Sequence, residues 1–279
     1  MTTHTKKLSI IDGVYLGAKD RASLFDLHIP PTFNGQLIIF IHGFMGFKDW
    51  GAWHLVQDYF TTNGFAFCKF NLSHNGGTVE NGIDFPDEVA FASNTYSNEV
   101  KDTECLVQKI TPYFDEKPAI HLIGHSRGGG IALLSASIIK AKSICLWASI
   151  SSISKRFPTD DALKKWQFDG VRHINNARTK QSLPQYFGLF EDFLLHEKAL
   201  DIEQAALSLN RPAAVFHGMD DQTVLLEEGI SLARWLNVKL VTLENTDHVF
   251  DAKHPWLKQE LPKALKHICD LSCSFIIKS

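Results

Sequence analysis

Gly124-His125-Ser126-Arg127-Gly128 is the stretch of this chain best suited to chemistry, and Asp221, His248 and Phe44 are its candidate partners. A short apolar run over 119–123 leads into it, and a helix-favouring run over 131–139 leaves it. Glycine two places either side of a serine permits a sharp strand-to-helix turn that lifts the hydroxyl above a sheet edge. Such a turn strains the serine backbone, and the helix that follows aims free N–H groups and its positive end at the same point. A serine presented this way is a nucleophile. The pentapeptide alone would arise by chance in roughly one chain of this length in ten, so its partners must decide.

The hydroxyl is weak until a base takes its proton, and that base needs an acid to hold its ring. After Ser126, the apolar run 213–216 leads into His217-Gly218-Met219-Asp220-Asp221. A carboxylate therefore stands in the loop at a strand's C-terminal end. Asp220 and Asp221 compete for the role; the spacing from Gly218 and to Val224 favours Asp221, with Asp220 as a solvated turn residue. The next apolar run, 238–243, ends in Glu244-Asn245-Thr246-Asp247-His248, which puts a histidine in the corresponding loop one strand on. That position favours His248 over His254, His217, His125 and His121. His254 precedes Pro255 and reads as a surface residue at a helix start, whereas His217 and His121 read as structural strand residues. The chain order serine, aspartate, histidine suits a strand–elbow–helix architecture. Acyl transfer also needs N–H donors at its oxyanion. The backbone N–H of Arg127 offers one, and that of Phe44, in Ile41-His42-Gly43-Phe44, the other.

Elements able to position these groups are visible along the chain. Short β-rich runs alternate with helical patterns, which predicts a largely parallel sheet covered by helices. The runs 8–15 and 23–29 read as an opening antiparallel pair, closed by Pro30-Pro31. Strands are expected over 36–41, 65–70, 119–124, 143–148, 213–217 and 239–243. Helices are expected over 50–62, 93–114, 127–140, 225–236 and 255–271. Residues 154–210 break the alternation. They are rich in aromatic residues without a buried-strand run, and read as a small exposed hairpin (171–174 and 177–180, turning at Asn175-Asn176) between helical stretches over 159–167 and 185–208. Long interruptions of a compact domain usually carry function. The expected organisation is therefore a core of 1–153 and 211–279 with a cap insertion over 154–210. Trp166 and Phe187 in that cap, together with His74 in the loop after the 65–70 strand, are candidate substrate-binding residues. Trp50 and Trp53 read as helix anchors.

Composition excludes several classes. At 279 residues with 44% hydrophobic and 21% charged residues, the chain is ordinary for a globular protein. A net charge of −3 without a basic run argues against nucleic acid as a partner. No apolar stretch is long enough for a membrane span, and the first eleven residues lack the apolar core of a signal peptide. Five cysteines without metal-type spacing suggest a reduced, cytoplasmic protein, with Cys269 and Cys273 on one side of a helix. The histidines show no metal-ligand spacing, so no metal is expected. The oligomeric state is left open.

Together, Ile41-His42-Gly43-Phe44, Gly124-His125-Ser126-Arg127-Gly128, His217-Gly218-x-x-Asp221 and Asp247-His248 resemble the α/β-hydrolase superfamily. The His-Gly-Phe opening and the late insertion are most similar to carboxylesterases of the feruloyl/cinnamoyl esterase type, with dienelactone-hydrolase-like and serine-aminopeptidase-like relatives close behind. The resemblance implies an α/β-hydrolase fold with an eight-stranded, mostly parallel sheet, a Ser-His-Asp triad and no cofactor. It implies a small-molecule ester as the partner but does not fix the substrate. A peptidase would need an acid for a terminal amine, from Asp160, Asp161, Glu191 or Asp192. A receptor would have no use for all three triad members. The side chain of Arg127 could meet a substrate carboxylate or pair structurally.

Overall fold

The computed structural model describes residues 9–279, so Leu8 of the first expected strand lies outside the described residues. Eight strands form one sheet: β1 (Ser9–Leu16), β2 (Ala22–Ile29), β3 (Gln36–Ile41), β4 (Ala66–Phe70), β5 (Ala119–His125), β6 (Ser143–Trp147), β9 (Ala213–Gly218) and β10 (Leu240–Leu243). Their spatial order is β1-β2-β4-β3-β5-β6-β9-β10. The first two pairings, β1 with β2 and β2 with β4, are antiparallel, and the rest are parallel. This is the sheet the resemblance implied. Two further strands, β7 (Val171–Asn175) and β8 (Ser182–Tyr186), form a separate hairpin.

Central strands are apolar throughout because both faces are covered. Along β3, Leu37, Ile39 and Ile41 enter one core while Ile38 and Phe40 enter the other, the period-two alternation of a pleated strand. The second face packs against α1 (Trp53–Thr62) and α9 (Lys263–Lys278). The first packs against α3 (Tyr96–Ile110), α4 (Arg127–Ala136) and α8 (Leu226–Trp235). Because β3 and β5 run parallel in register to Ile41 opposite Gly124, the loop after β3 and the turn after β5 leave the sheet side by side. No helix among the described residues is long and apolar enough to cross a membrane.

Several boundaries differ from expectation. The helix expected over 93–114 is preceded by a short α2 (Glu88–Ala92), whose cap Asp87 accepts from Ala90 N–H. Thr95 accepts from Asn98 N–H and starts α3 only at Tyr96. The last helix begins at Lys263, not at Pro255, because Pro262 occupies its N-cap and the prolines at 255 and 262 interrupt the run between them. Cys269 and Cys273 do share the buried side of α9.

The segment between β6 and β9 carries α5 (Asp160–Asp169), the β7–β8 hairpin, α6 (Gly188–Leu195) and α7 (Ile202–Leu207). The expected two-residue turn is wrong. Asn176 Oδ1 accepts from Arg178 N–H, Asn176 C=O accepts from Lys180 N–H, and the returning strand starts at Ser182. A side chain that bonds its own loop replaced the turn inferred from strand pattern. The hairpin is exposed on one side only: Leu183 and Gln185 of β8 are buried, Leu183 against Phe47, Phe85 and Phe91, while His173, Asn175, Ser182 and Tyr186 face solvent. The single helical stretch expected over 185–208 is split, with Asp201 capping the second helix through Gln204 N–H.

Candidate active site

Ser126 stands between β5 and α4 with φ 58° and ψ −122°, a conformation that costs a non-glycine residue about 1–3 kcal/mol. Surrounding structure holds it there. Ser126 N–H donates to Trp147 C=O (2.9 Å), and its own C=O accepts from Gly129 and Ile150 N–H (3.0 and 3.2 Å). Gly124 packs against the backbone of Gly128 and Gly129, and a Cβ on Gly128 would overlap the carbonyl oxygens of Ile41 and His42. Both glycines are therefore required by close approach. The turn also abuts the β3 loop: a Cβ on Gly43 would lie 2.9 Å from Ser126 Cβ and 3.3 Å from its Oγ.

Asp221, not Asp220, meets His248. Asp221 is buried in the loop after β9, and its Oδ2 accepts from His248 Nδ1 at 2.7 Å. Its Oδ1 accepts from Thr223 and Val224 N–H at 2.8 and 2.9 Å. Burial works to raise its pKa, but hydrogen bonds from His217, His248 and the Val224 N–H outweigh that and hold the carboxyl well below the usual aspartate range. Asp220 is exposed; its N–H donates to Thr246 C=O (3.0 Å), which ties the acid loop to the loop that carries His248.

His248 Nε2 has no hydrogen-bond partner among the described residues, and its ring is 4.9 Å from that of His125, the neighbour of Ser126. His125 Nε2 donates to His248 C=O at 2.9 Å, so the residue before the serine anchors the backbone of the candidate base. Burial drives the His125 pKa down to about 3 and that of His42 to about 4, so both rings are neutral near pH 7. His42 Nδ1 donates to Gly43 C=O (2.8 Å) and its Nε2 accepts from Leu72 N–H (3.2 Å). Those bonds hold the β3 loop in place. No protein acceptor takes the N–H of Phe44 or of Arg127 among the described residues.

The competing histidines have other roles. His217 Nε2 donates to Val224 C=O (2.8 Å) and lies 3.3 Å from Asp221 Oδ2, so it touches the acid and not the serine. His121 meets Ser143 Oγ (2.7 Å). His254 is not at a helix start: its Nδ1 accepts from Gly51 N–H (2.8 Å) and its ring packs on Trp50 and Phe47. Trp53 is buried against Phe40 and His125.

The Arg127 side chain is buried rather than open to solvent. Its guanidinium lies 4.1 Å from the Phe44 ring centroid and 4.8 Å from that of Tyr96, and Nη1 is 3.1 Å from Glu99 Oε1. Burial pushes the Glu99 carboxyl up, against the opposing pull of Arg127. Phe44, Arg127, Asn94 and Glu99 line a small chamber with Gln185 of β8 and Leu189 of α6. Sequence reading missed this set. One signal existed: Glu99 falls on the apolar stripe of α3 with Leu106 and Ile110, where a lone carboxylate demands a partner.

Trp166, Phe187 and His74 are not brought to the chamber. Trp166 is buried within its own segment; Nε1 donates to Gln185 C=O (2.9 Å), and the ring packs on Phe157, Phe187 and Arg172. His74 Nδ1 pairs with Ser73 Oγ (2.8 Å). Asp160, Asp161, Glu191 and Asp192 also lie outside the chamber lining. No group of three or more His, Cys, Asp or Glu among the described residues could hold a metal ion.

Comparison with known proteins agrees with this frame. A model of the Alpha/beta hydrolase family matches residues 38–265. No curated protein matches the chain. Among solved structures, the chain is similar to Est1E from Butyrivibrio proteoclasticus with ferulic acid bound (TM-score 0.71, 18% identity, 95% of this chain and 98% of that one). It is also similar to dienelactone hydrolase from Anabaena variabilis (TM-score 0.63, 14% identity, 98% and 99%). The mouse alpha/beta hydrolase domain-containing protein 10 is a third (TM-score 0.67, 17% identity, 98% and 100%). With a family model spanning most of its length and the sheet order described above, this chain belongs to the alpha/beta hydrolase family.

Proposed function

We propose that the protein is a serine hydrolase that cleaves a small to medium carboxylic ester through an acyl-enzyme. The observation that carries this reading is the Asp221–His248 hydrogen bond, with the His248 ring packed on His125, the residue before a serine held in a strained turn and not itself hydrogen-bonded to His248. His248 Nε2, the unpaired ring nitrogen, accepts the Ser126 proton as Oγ attacks the ester carbonyl. Asp221 keeps the Nδ1–H tautomer in place and stabilises the imidazolium that forms. The free N–H groups of Phe44 and Arg127 receive the oxyanion. His248 then passes its proton to the leaving alcohol, and water, deprotonated by the same nitrogen, releases the acid.

Residues 154–210 serve as a cap in this reading, because Gln185 and Leu189 share a chamber with Phe44 and Arg127. The neighbour Est1E with ferulic acid bound, and a neighbour named as an esterase of Pyrococcus furiosus, suit an ester substrate. Five free cysteines, three of them fully buried, suit a reducing cytoplasmic setting.

The test is Ser126→Ala. It should abolish p-nitrophenyl ester turnover and labelling by a fluorophosphonate probe, at an unchanged melting temperature. Wild-type rates in that variant would refute the mechanism.

A further inference from the structure

The chamber beside Phe44 and Arg127 holds buried polar atoms that the proposed mechanism does not use. Asn94 Nδ2 donates to Glu99 Oε1 at 2.7 Å, and Arg127 Nη1 approaches the same oxygen at 3.1 Å. Both of these donors converge on Oε1. The second oxygen, Glu99 Oε2, and Asn94 Oδ1 have no partner, although Glu99 is only 2% exposed. A buried acceptor left unpaired is costly and calls for an explanation.

We infer that this chamber takes a hydroxyl carried on the acyl chain of the ester, with Glu99 Oε2 or Asn94 Oδ1 accepting its single proton. The inference rests on the esterase reading above and deepens it. Four features support it. With Glu99 ionised against Arg127, the free atoms of the two lining residues Asn94 and Glu99 are acceptors, so a ligand that pairs them must donate. Arg127 already balances the charge of Glu99, so an ammonium group meets a neighbouring cation and a carboxylate meets a free carboxylate oxygen; a neutral hydroxyl meets neither obstacle. The chamber has room for about one water molecule, the size of a hydroxyl and too small for a ring. Finally, the wall carries Phe44 and Arg127, whose N–H groups are the proposed oxyanion donors, and includes neither Ser126 nor His248. The leaving oxygen must stand near His248 to receive its proton, so a chamber on the Phe44 and Arg127 side faces the acyl half. Phe44 and Leu189 give the chamber an apolar flank, and the carbon chain stays outside it.

The deciding experiment compares kcat/KM for ethyl 3-hydroxybutyrate and ethyl butyrate in the wild type, Asn94→Leu and Glu99→Gln. Hydrogen bonds to a charged acceptor favour the hydroxyl ester in the wild type by roughly 10–100-fold. Each variant should bring the ratio down at least several-fold toward one, with folding checked by circular dichroism. A wild-type ratio near one, with ethyl butyrate turned over, overturns the subsite and leaves the esterase standing; it also means the free acceptors are met by a held water alone. A high ratio that survives in both folded variants overturns it too, because the hydroxyl is then read elsewhere. Absence of turnover of either ester, together with no fluorophosphonate labelling of Ser126, removes the esterase reading and this inference with it.

Discussion

Replacing Asp221 by Asn isolates what the carboxylate does, because the shape is kept and only the charge and one acceptor are lost. The amide could sit two ways round. With Nδ2 in the place of Oδ1, it would face the N–H groups of Thr223 and Val224, which now donate at 2.8 and 2.9 Å. Two donors would then oppose a third, so the amide oxygen keeps the Oδ1 place and Nδ2 takes that of Oδ2. There it faces His248 Nδ1, 2.7 Å away in the native protein. The ring can accept that bond only by moving its proton to Nε2, and this tautomer cannot take the proton of Ser126. The equivalent change in a serine protease lowers kcat by about 10⁴, so a loss of that order is expected here, or about 5 kcal/mol of transition-state stabilisation. Retained backbone bonds at Oδ1 should limit the stability loss to about 1–2 kcal/mol. Steady-state turnover of p-nitrophenyl acetate and urea denaturation measure the two effects. A folded D221N enzyme within about tenfold of wild type, or a larger loss in D220N, would refute the assignment of Asp221.

Gly128→Ala tests the contact between the two loops proposed to receive the oxyanion. Its methyl must push back the Ile41 and His42 carbonyls, so stability should fall by about 1–3 kcal/mol. As Phe44 N–H retreats from Arg127 N–H, kcat should fall by roughly 10²–10³ in ester turnover; unchanged kcat would detach Phe44 from the reaction. Acid stability is a further outcome. Burial lowers the pKa of His42, His121 and His125 to about 4, 4 and 3 in the folded chain, against 6.5 when unfolded. The unfolded chain therefore binds more protons below 6.5, and stability present at pH 7 is lost as pH falls from 6.5 toward 4, by about 2 kcal/mol per histidine at pH 5. Asp221 has the opposite kind of shift with the same consequence at lower pH: its depressed pKa adds stability above 3.8 that disappears as pH falls below it. Melting temperatures from pH 7 to pH 3 measure both, and a flat profile between pH 7 and 5 would contradict burial of neutral histidines.

Local pattern was enough for much of this protein. A six-residue, Ile-rich apolar run such as 36–41 is too short for a helix and reads as a strand covered on both faces, and Gly-x-Ser-x-Gly between strand and helix carries its own backbone conformation, because the neighbours of Ser126 dictate the turn. Chain order then limited the acid and the base to two loops on adjacent strands. Helix ends and the 154–210 segment were less legible. Capping by Thr95, Asp87 and Asp201, and the side-chain turn at Asn176, are made by single polar residues that periodicity does not register. What remained was decided only by folding in three dimensions. Asp221 and Asp220 are neighbours of one residue type, and what separates them is which way the loop after β9 turns. Arg127, Glu99 and Asn94 are near one another because α3 and α4 pack together on the same face of the sheet. No spacing along the chain encodes that meeting, since its geometry comes from helix packing and from the cost of leaving a buried charge unpaired.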